Sequence, residues 1–117
     1  MLSIEAIIRP ETIEDVVGEL EAVGCRKFYY ANVTGTGRQG GVEVFVGRAG
    51  QMTRRHERPR TILRAVVEDG MKDDVINAII RGARSPGDGE VGDGKIFVSS
   101  VEDVIRVRTG ESGEAAI

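Results

Sequence analysis

The chain has 117 residues, of which 40% are hydrophobic and 30% are charged, and its formal net charge is -3. These values exclude a disordered or fibrous chain, and the net charge argues against a general nucleic-acid binder, which needs a broad basic face. The length predicts a single domain over residues 1–117. No apolar run reaches the length of a membrane span and no signal-peptide pattern opens the sequence, so we expect a cytoplasmic protein without direct membrane insertion.

The first part of the chain predicts a strand, a helix and a second strand. Residues 2–9 alternate loosely between apolar and polar side chains and end at Pro10, which cannot donate a ladder hydrogen bond. Apolar residues at helical spacing predict a helix over 13–23, with Thr12 as its N-cap. Strand-forming residues at 28–33 then lead into Gly35-Thr36-Gly37.

A long basic connection, residues 38–59, follows the second strand. Between positions 37 and 60 the sequence has six arginines and two glutamates, a local charge of +4 in an acidic protein. Val42, Val44 and Val46 alternate there as a strand extension would. Long loops in small domains are usually functional or disordered, and a basic one favours an acidic contact surface. We therefore predict an interaction loop with these partner-binding residues: Arg48, Gln51, Arg54, Arg55 and Arg58.

The second half of the chain repeats the pattern. Residues 62–67 predict a third strand, which pairs with the second as the far side of a hairpin. A helix with an acidic start follows and is broken by Ser85-Pro86-Gly87; its buried stripe contains Val75, Ile76, Ile79 and Ile80. Next come a glycine-rich segment over 85–95 (the glycine loop), an apolar strand, and a second strand segment in which arginines alternate with Ile105 and Val107.

This order of elements predicts an α+β fold: a ferredoxin-like βαββαβ sandwich, with one antiparallel sheet, two helices on one face and the long loop between strands 2 and 3. The other face of the sheet must also be covered. Apolar strand residues would otherwise face water, and burying each contributes roughly 1.5 to 3 kcal/mol. Self-association is the simplest solution for these positions: Ile7, Phe28, Tyr30, Ile62 and Val66.

The glycine loop and the last strand segment predict an anion site. On a strand, Arg106 and Arg108 project from one face while Ile105 and Val107 enter the core. Glycine amides and Lys95 beside two arginines suit a polyphosphate, because arginine binds phosphate through paired hydrogen bonds. A merely solvated strand face is the alternative interpretation.

Two familiar nucleotide motifs are excluded by their context. The spacing from Gly89 to Lys95 fits G-x-x-x-x-G-K, but Ile96 stands where a P-loop hydrolase has Ser or Thr for magnesium, and a strand follows instead of a helix. Residues 87–92 fit G-x-G-x-x-G, yet no strand precedes them and no helix follows.

Five segments, in this order and at these spacings, resemble the PII nitrogen-regulatory signalling proteins. They are residues 4–10 (IEAIIRP), 35–39 (GTGRQ), 92–98 (GDGKIFV) followed by Val101, 105–111 (IRVRTGE) and 114–117 (EAAI). The resemblance covers essentially the whole chain.

The resemblance implies a homotrimer that binds ATP or ADP in clefts between subunits and regulates target proteins of nitrogen metabolism, such as an ammonium channel or assimilation enzymes, through loop 38–59. The implied nucleotide-binding residues are Gly37, Arg38, Gln39, Gly92, Asp93, Gly94, Lys95, Arg106 and Arg108. Mg2+ and 2-oxoglutarate are further implied effectors, with Gln39 and Arg60 as the 2-oxoglutarate residues. No residue is expected to hold a resident metal.

The chain differs from the family pattern in several places. Arg26 and Tyr29 stand where the family usually has threonines near the nucleotide base and sugar, Arg64 replaces a glutamate, and Arg60 replaces a lysine. The glycine loop is also longer at 85–91. A related sensor of another nucleotide or metabolite, outside nitrogen control, is therefore the alternative function.

Two other classes of protein fit the sequence less well. An enzyme is not expected, because no Ser/His/Asp or Cys/His set is visible and His56 lies in a basic run where a solvated role is favoured. A nucleic-acid module is not expected either. Tyr29 and Tyr30 could stack on bases, but on a strand they point to opposite faces, and aromatic residues make up 4% of the chain.

Overall fold

The structure, a computed structural model, describes residues 1–36 and 57–117 and the backbone of two strands at 42–46 and 51–55. Over these residues the elements follow the order β1 (Leu2–Ile8), α1 (Ile13–Ala22), β2 (Tyr29–Thr36), β3 (Val42–Val46), β4 (Gln51–Arg55), β5 (Glu57–Val67), α2 (Lys72–Ala83) and β6 (Gly94–Ser100). Among these residues, no helix is both long enough and apolar enough to cross a membrane.

Four strands form the main sheet in the spatial order β2-β5-β1-β6, and all three neighbouring pairs are antiparallel. Strand side chains alternate between faces, so Ile4, Ala6 and Ile8 of β1 point to one side and are buried there against both helices. This confirms the predicted ferredoxin-like fold. The shared core also contains Val16, Leu20, Leu63, Ala65, Val67, Val75, Ala78 and Ile79.

Both helices are entered through a single 3-10 turn, Pro10–Thr12 before α1 and Asp69–Met71 before α2. The prediction of Thr12 as the N-cap residue of α1 is confirmed, but its side chain forms no hydrogen bond that caps the helix. Its hydroxyl donates backward to the Arg9 carbonyl at 2.8 Å. The predicted apolar stripe of α2 is confirmed, with Val75 and Ile79 buried and Ile76 packed against the core.

Three strand predictions need correction. β5 begins at Glu57, earlier than the predicted residue 62, because it pairs with β2 as far as Thr36. β3 pairs with β4 in a separate two-stranded sheet and does not extend β2. Residues 105–108 do not form a strand: apart from one bridge between Ile105 and Ser112, they lie in a turn.

The helix-free face of the sheet is partly apolar, as predicted. Ile7, Ile62 and Val66 alternate with residues that are buried under the helices, so they lie on the opposite face, where they are half-buried. The prediction for Tyr30 and Phe28 is wrong. Tyr30 pairs with Leu63 and so shares the helix side, whereas Phe28 precedes β2 and packs against the core.

Candidate functional site

The glycine loop joins α2 to β6 through a backbone conformation that depends on its glycines. Four of its glycines, Gly87, Gly89, Gly92 and Gly94, have φ values of 76, 82, 97 and 135°. Residues with side chains rarely adopt such angles. The glycine spacing in the sequence therefore encodes one particular loop shape.

The carboxylate of Asp93 lies at the centre of the glycine loop. Its Oδ2 accepts hydrogen bonds from the backbone amides of Ser85 and Glu90, both at 2.9 Å, and its Oδ1 accepts one from the Ser85 hydroxyl at 2.6 Å. With three donors on its two oxygens, Asp93 holds the two ends of the loop together. Its role in this structure is to shape the loop, which differs from the ligand-facing role implied by the resemblance.

Arg9 supports the same loop from the end of β1. Its Nη2 donates to the Val91 carbonyl at 3.1 Å, and its Nε lies 3.5 Å from Oδ1 of Asp93. The pairing of Ile8 with Gly94 brings Arg9 beside the loop, although 82 residues separate it from Val91. Neither Arg9 nor Ser85 was predicted as a site residue. The sequence signal for Arg9 was its position inside the IEAIIRP segment of the family resemblance, which gave it no role.

The environment of Asp93 has opposing effects on its acidity. Burial by itself would raise the pKa of the carboxyl group, but the Ser85 hydroxyl, the amides of Glu90 and Ser85, and the Arg9 charge lower the pKa from 3.8 to about 2. Because the folded pKa lies below the unfolded one, ionised Asp93 stabilises the loop above about pH 4, and this contribution is lost as the pH falls towards 2.

We expect an NMR pH titration of the Asp93 carboxyl carbon to give a midpoint near 2. The Ser85→Ala variant should raise this midpoint, because it removes the hydroxyl that donates at 2.6 Å. Ser99→Ala on β6 is the matched control and should leave it unchanged. An Asp93 midpoint close to 4 in the parent protein would mean that the carboxylate does not organise the loop.

Lys95 is the last residue of the glycine loop and the second residue of β6. It pairs with Ile7, and this register places it on the helix-free face of the sheet. Its side chain is exposed and forms no hydrogen bond or ion pair with any residue that the structure describes. A ligand can therefore approach the backbone closely at Gly92 and Gly94, and Lys95 beside them supplies an exposed positive charge. Together these groups can bind an anion.

Arg106 and Arg108 are placed differently from the prediction. Arg106 forms an ion pair with Glu111 at 3.0 Å and donates to the Ala115 carbonyl at 3.1 Å, while Arg108 is exposed. The turn is closed by Gly110, whose amide donates to the Arg106 carbonyl and whose φ is 70°. No hydrogen bond or ion pair among the described residues links either arginine to the glycine loop.

The apolar neighbours of these arginines do not enter the core of their own chain, which corrects the second half of the strand prediction. Ile105 is 64% exposed and Val107 is 100% exposed. The turn between residues 106 and 111 prevents the alternation that a strand would impose, and it carries both side chains outward. They form an apolar tip (Ile105 and Val107) that this chain leaves uncovered.

Several predicted residues belong to the long connection. Gly37, Arg38, Gln39, Arg48 and His56 lie outside the described residues. Gln51, Arg54 and Arg55 lie on β4, of which the backbone alone is described. Arg58 and Arg60 lie on β5, and their guanidinium groups donate to the neighbouring carbonyls of Glu57 and Pro59 at 2.9 and 2.8 Å.

A polar cluster occupies the helix-free face near the β2 edge. Nε of Arg64 donates to the Ser3 hydroxyl at 2.8 Å, and Nη1 donates to the Tyr29 hydroxyl at 3.3 Å. Since the Tyr29 oxygen accepts from Arg64, its own proton is directed elsewhere. Two of the residues that depart from the family pattern therefore act as one hydrogen-bonded unit.

Cys25 shows no sign of reactivity. It is buried, and burial raises the pKa of its thiol although a hydrogen bond from the Lys27 backbone opposes this. Across the described parts of the chain, no group of three or more His, Cys, Asp or Glu side chains could hold a metal ion.

The family model for nitrogen regulatory protein P-II matches residues 1–111. The chain belongs to the PII family. Nitrogen regulatory protein P-II 2 of Methanothermobacter thermautotrophicus is 43% identical over 118 residues, which cover 100% of this chain and 97% of that protein. Nitrogen regulatory protein P-II of Cereibacter sphaeroides is 38% identical over 118 residues, covering 100% of both.

The PII fold is also found in the solved structures. The crystal structure of Arabidopsis thaliana PII bound to citrate superposes with a TM-score of 0.75 at 38% sequence identity, and the match covers 99% of this chain and 91% of that one. The relatives are named as regulatory proteins of nitrogen metabolism.

Proposed function

We propose that this PII protein binds an adenine nucleotide, ATP or ADP, at the glycine loop in clefts between the subunits of a homotrimer. The observation that carries the proposal is the loop that Asp93 holds in shape beside the exposed Lys95. A polyphosphate fits this place, since glycine amides can approach its oxygens closely and a lysine supplies a point charge.

The need for a second subunit is supported by what one chain leaves open. Arg106 and Arg108 carry the other cations expected at the phosphates, yet among the described residues of one chain they have no hydrogen bond or ion pair to the glycine loop. The apolar tip beside them and the half-buried side chains on the helix-free face both leave apolar surface uncovered. Association would bury this surface and let the arginines of one subunit reach the glycine loop of another.

Lys95→Ala should weaken ATP binding about ten- to a hundredfold, because hydrogen bonds to charged groups contribute about 1.5 to 3 kcal/mol. Isothermal titration calorimetry measures the change. Lys72→Ala, at the exposed start of α2, is the matched control and should bind like the parent. Lys95 gives a cleaner test than Arg106, whose ion pair with Glu111 would also be lost.

An unchanged affinity in Lys95→Ala would contradict the phosphate assignment. A separate measurement addresses the assembly: light scattering should give the mass of three chains. If the measured mass were that of a single chain, the protein could have no site between subunits, whatever the lysine variant shows.

The proposed output is regulation of a nitrogen-metabolism target in the cytoplasm, such as an ammonium channel or an assimilation enzyme, through loop 38–59. The sequence between positions 37 and 60 has a local charge of +4, which favours an acidic docking surface. Such docking should weaken as ionic strength rises. Mg2+ and 2-oxoglutarate are proposed as further effectors that bind through Gln39 and Arg60. Of these two residues the structure describes Arg60, whose positive charge supports the proposal.

A sensor of a different nucleotide or metabolite is the second candidate function. The bonded unit of Tyr29, Arg64 and Ser3 favours it, because these side chains give the helix-free face hydrogen-bond donors where the family usually has other residues. Parallel titrations with ATP, ADP, GTP and 2-oxoglutarate distinguish the two functions. Tighter binding of a nucleotide other than ATP or ADP would favour the second.

A further inference from the structure

A cavity of about 490 Å3 lies between the last turns of α2, the start of β6 and the glycine loop. Its volume is in the range of ~300 to 1,000 Å3 that is usual for small-molecule sites. The floor is apolar and continuous with the core, and it is formed by Ile8, Ile79, Ile80, Ala83 and Ile96. Ile8 and Ala83 are buried residues of the helix side, so the cavity opens on the helix side of the sheet.

The rim of this cavity carries both signs of charge. Arg84 and Lys95 line it with positive charge, and Asp88, Glu90 and Asp93 line it with negative charge; the Asp93 carboxylate is already bonded to donors of the loop. Within the described chain, the guanidinium of Arg84 and the carboxylate of Asp88 have no ion pair, although both belong to the same rim, and Glu90 has only a 3.8 Å contact with Arg9. The position of Arg84 is constrained, since a Cβ on Gly89 would lie 3.1 Å from its Cγ. The loop therefore packs on the stem of Arg84.

We propose that this cavity binds an apolar α-amino acid. The apolar side chain would lie on the isoleucine floor, the carboxylate would pair with Arg84, and the ammonium group would pair with Asp88 and Glu90. A ligand with a single charge would leave one side of the rim unpaired, and a phosphate would face two carboxylates. A zwitterion with an apolar body matches both the floor and the rim.

This cavity adjoins the proposed nucleotide site, because Asp93, Gly94 and Lys95 belong to the lining of both. The residues proposed to bind the amino acid are different ones: they lie on α2 and its C-terminal end and on the longer part of the glycine loop, namely Ile79, Ile80, Arg84, Asp88 and Glu90. Binding can therefore be measured on the full-length protein free of nucleotide. Failure of nucleotide binding would leave this inference standing.

The test is calorimetric titration with L-leucine, compared with 4-methylpentanoate, which lacks the ammonium group, and 3-methylbutylamine, which lacks the carboxylate. We expect saturable binding of L-leucine, and each analogue should bind at least about tenfold more weakly. NMR should place the largest leucine-induced amide shifts at Gly87 and Gly89.

Two variants and one control decide the assignment. Arg84→Met should weaken L-leucine binding at least about tenfold, and Ile80→Trp should abolish it by filling the cavity. Arg81→Met is the matched control: Arg81 is bound to Glu19 at 3.0 Å and does not line the cavity, so binding should be unchanged. Absence of saturable binding, or binding that Arg84→Met leaves intact, would overturn the proposal, and this holds even if Ile80→Trp fails to fold.

Discussion

Replacing Gly94 by alanine is expected to destabilise the protein by roughly 3 to 5 kcal/mol, a large part of the stability of a small domain. Gly94 has a φ of 135°, which side-chain-bearing residues rarely adopt. An added Cβ would also collide with the carbonyl oxygen of Ile7 and lie 3.2 Å from the Ile8 Cα. These atoms belong to β1, which is held by strands on both sides and cannot move away.

Chemical denaturation followed by circular dichroism measures this effect. Gly87→Ala is the matched control, since Gly87 also has a positive φ of 76° but an added Cβ would have nothing within 4 Å. The control should lose only about 1 to 2 kcal/mol from backbone strain. If both variants lose the same small amount, the close approach of β6 to β1 at Gly94 is wrong.

Gly82→Ala is expected to destabilise the protein by about 2 to 4 kcal/mol, although alanine has a higher helix propensity than glycine. Gly82 lies on α2 where it crosses α1. A Cβ there would sit 2.6 Å from the Cα and 2.7 Å from the backbone nitrogen of Val16. These are backbone atoms, so the helices would have to separate and open the core between them.

The matched control is Gly18→Ala on α1. Gly18 is also in the interior of a helix, but a Cβ there would meet no atom within 4 Å. Alanine at this position should therefore stabilise the protein by up to about 1 kcal/mol. Opposite signs for the two variants in thermal denaturation would establish the close helix crossing, and a stabilised Gly82→Ala would refute it.

The candidate site was only partly predictable. The sequence indicated the glycine loop and Lys95, because glycine spacing before an apolar strand is a local pattern. It did not indicate Arg9 or Ser85, which contribute through contacts with Asp93. Asp93 itself was expected to face a ligand. A carboxylate's direction depends on which donors surround it, and those donors lie up to 84 positions away in the chain.

The prediction of a strand at residues 105–108 was wrong for a related reason. Alternating residues at 105–108 fit a strand, but pairing requires a neighbour with free backbone groups. β6 pairs with β1, whereas residues 105–108 have no such neighbour among the residues that the structure describes, beyond the bridge between Ile105 and Ser112. The hydrogen bond from Gly110 to Arg106 forms a turn in its place.

The order along the chain of the two helices and the four strands of the main sheet was determined by the sequence alone, because side chains repeat every 2 residues on a strand and about every 3.6 on a helix, whatever they later contact. The family resemblance was equally readable from contiguous segments. Only the tertiary structure decided the strand order β2-β5-β1-β6, the helix crossing at Gly82, the inward turn of Asp93 and the cavity behind the glycine loop. Each of these depends on atoms brought together from distant parts of the chain, and local periodicity carries no record of such distances.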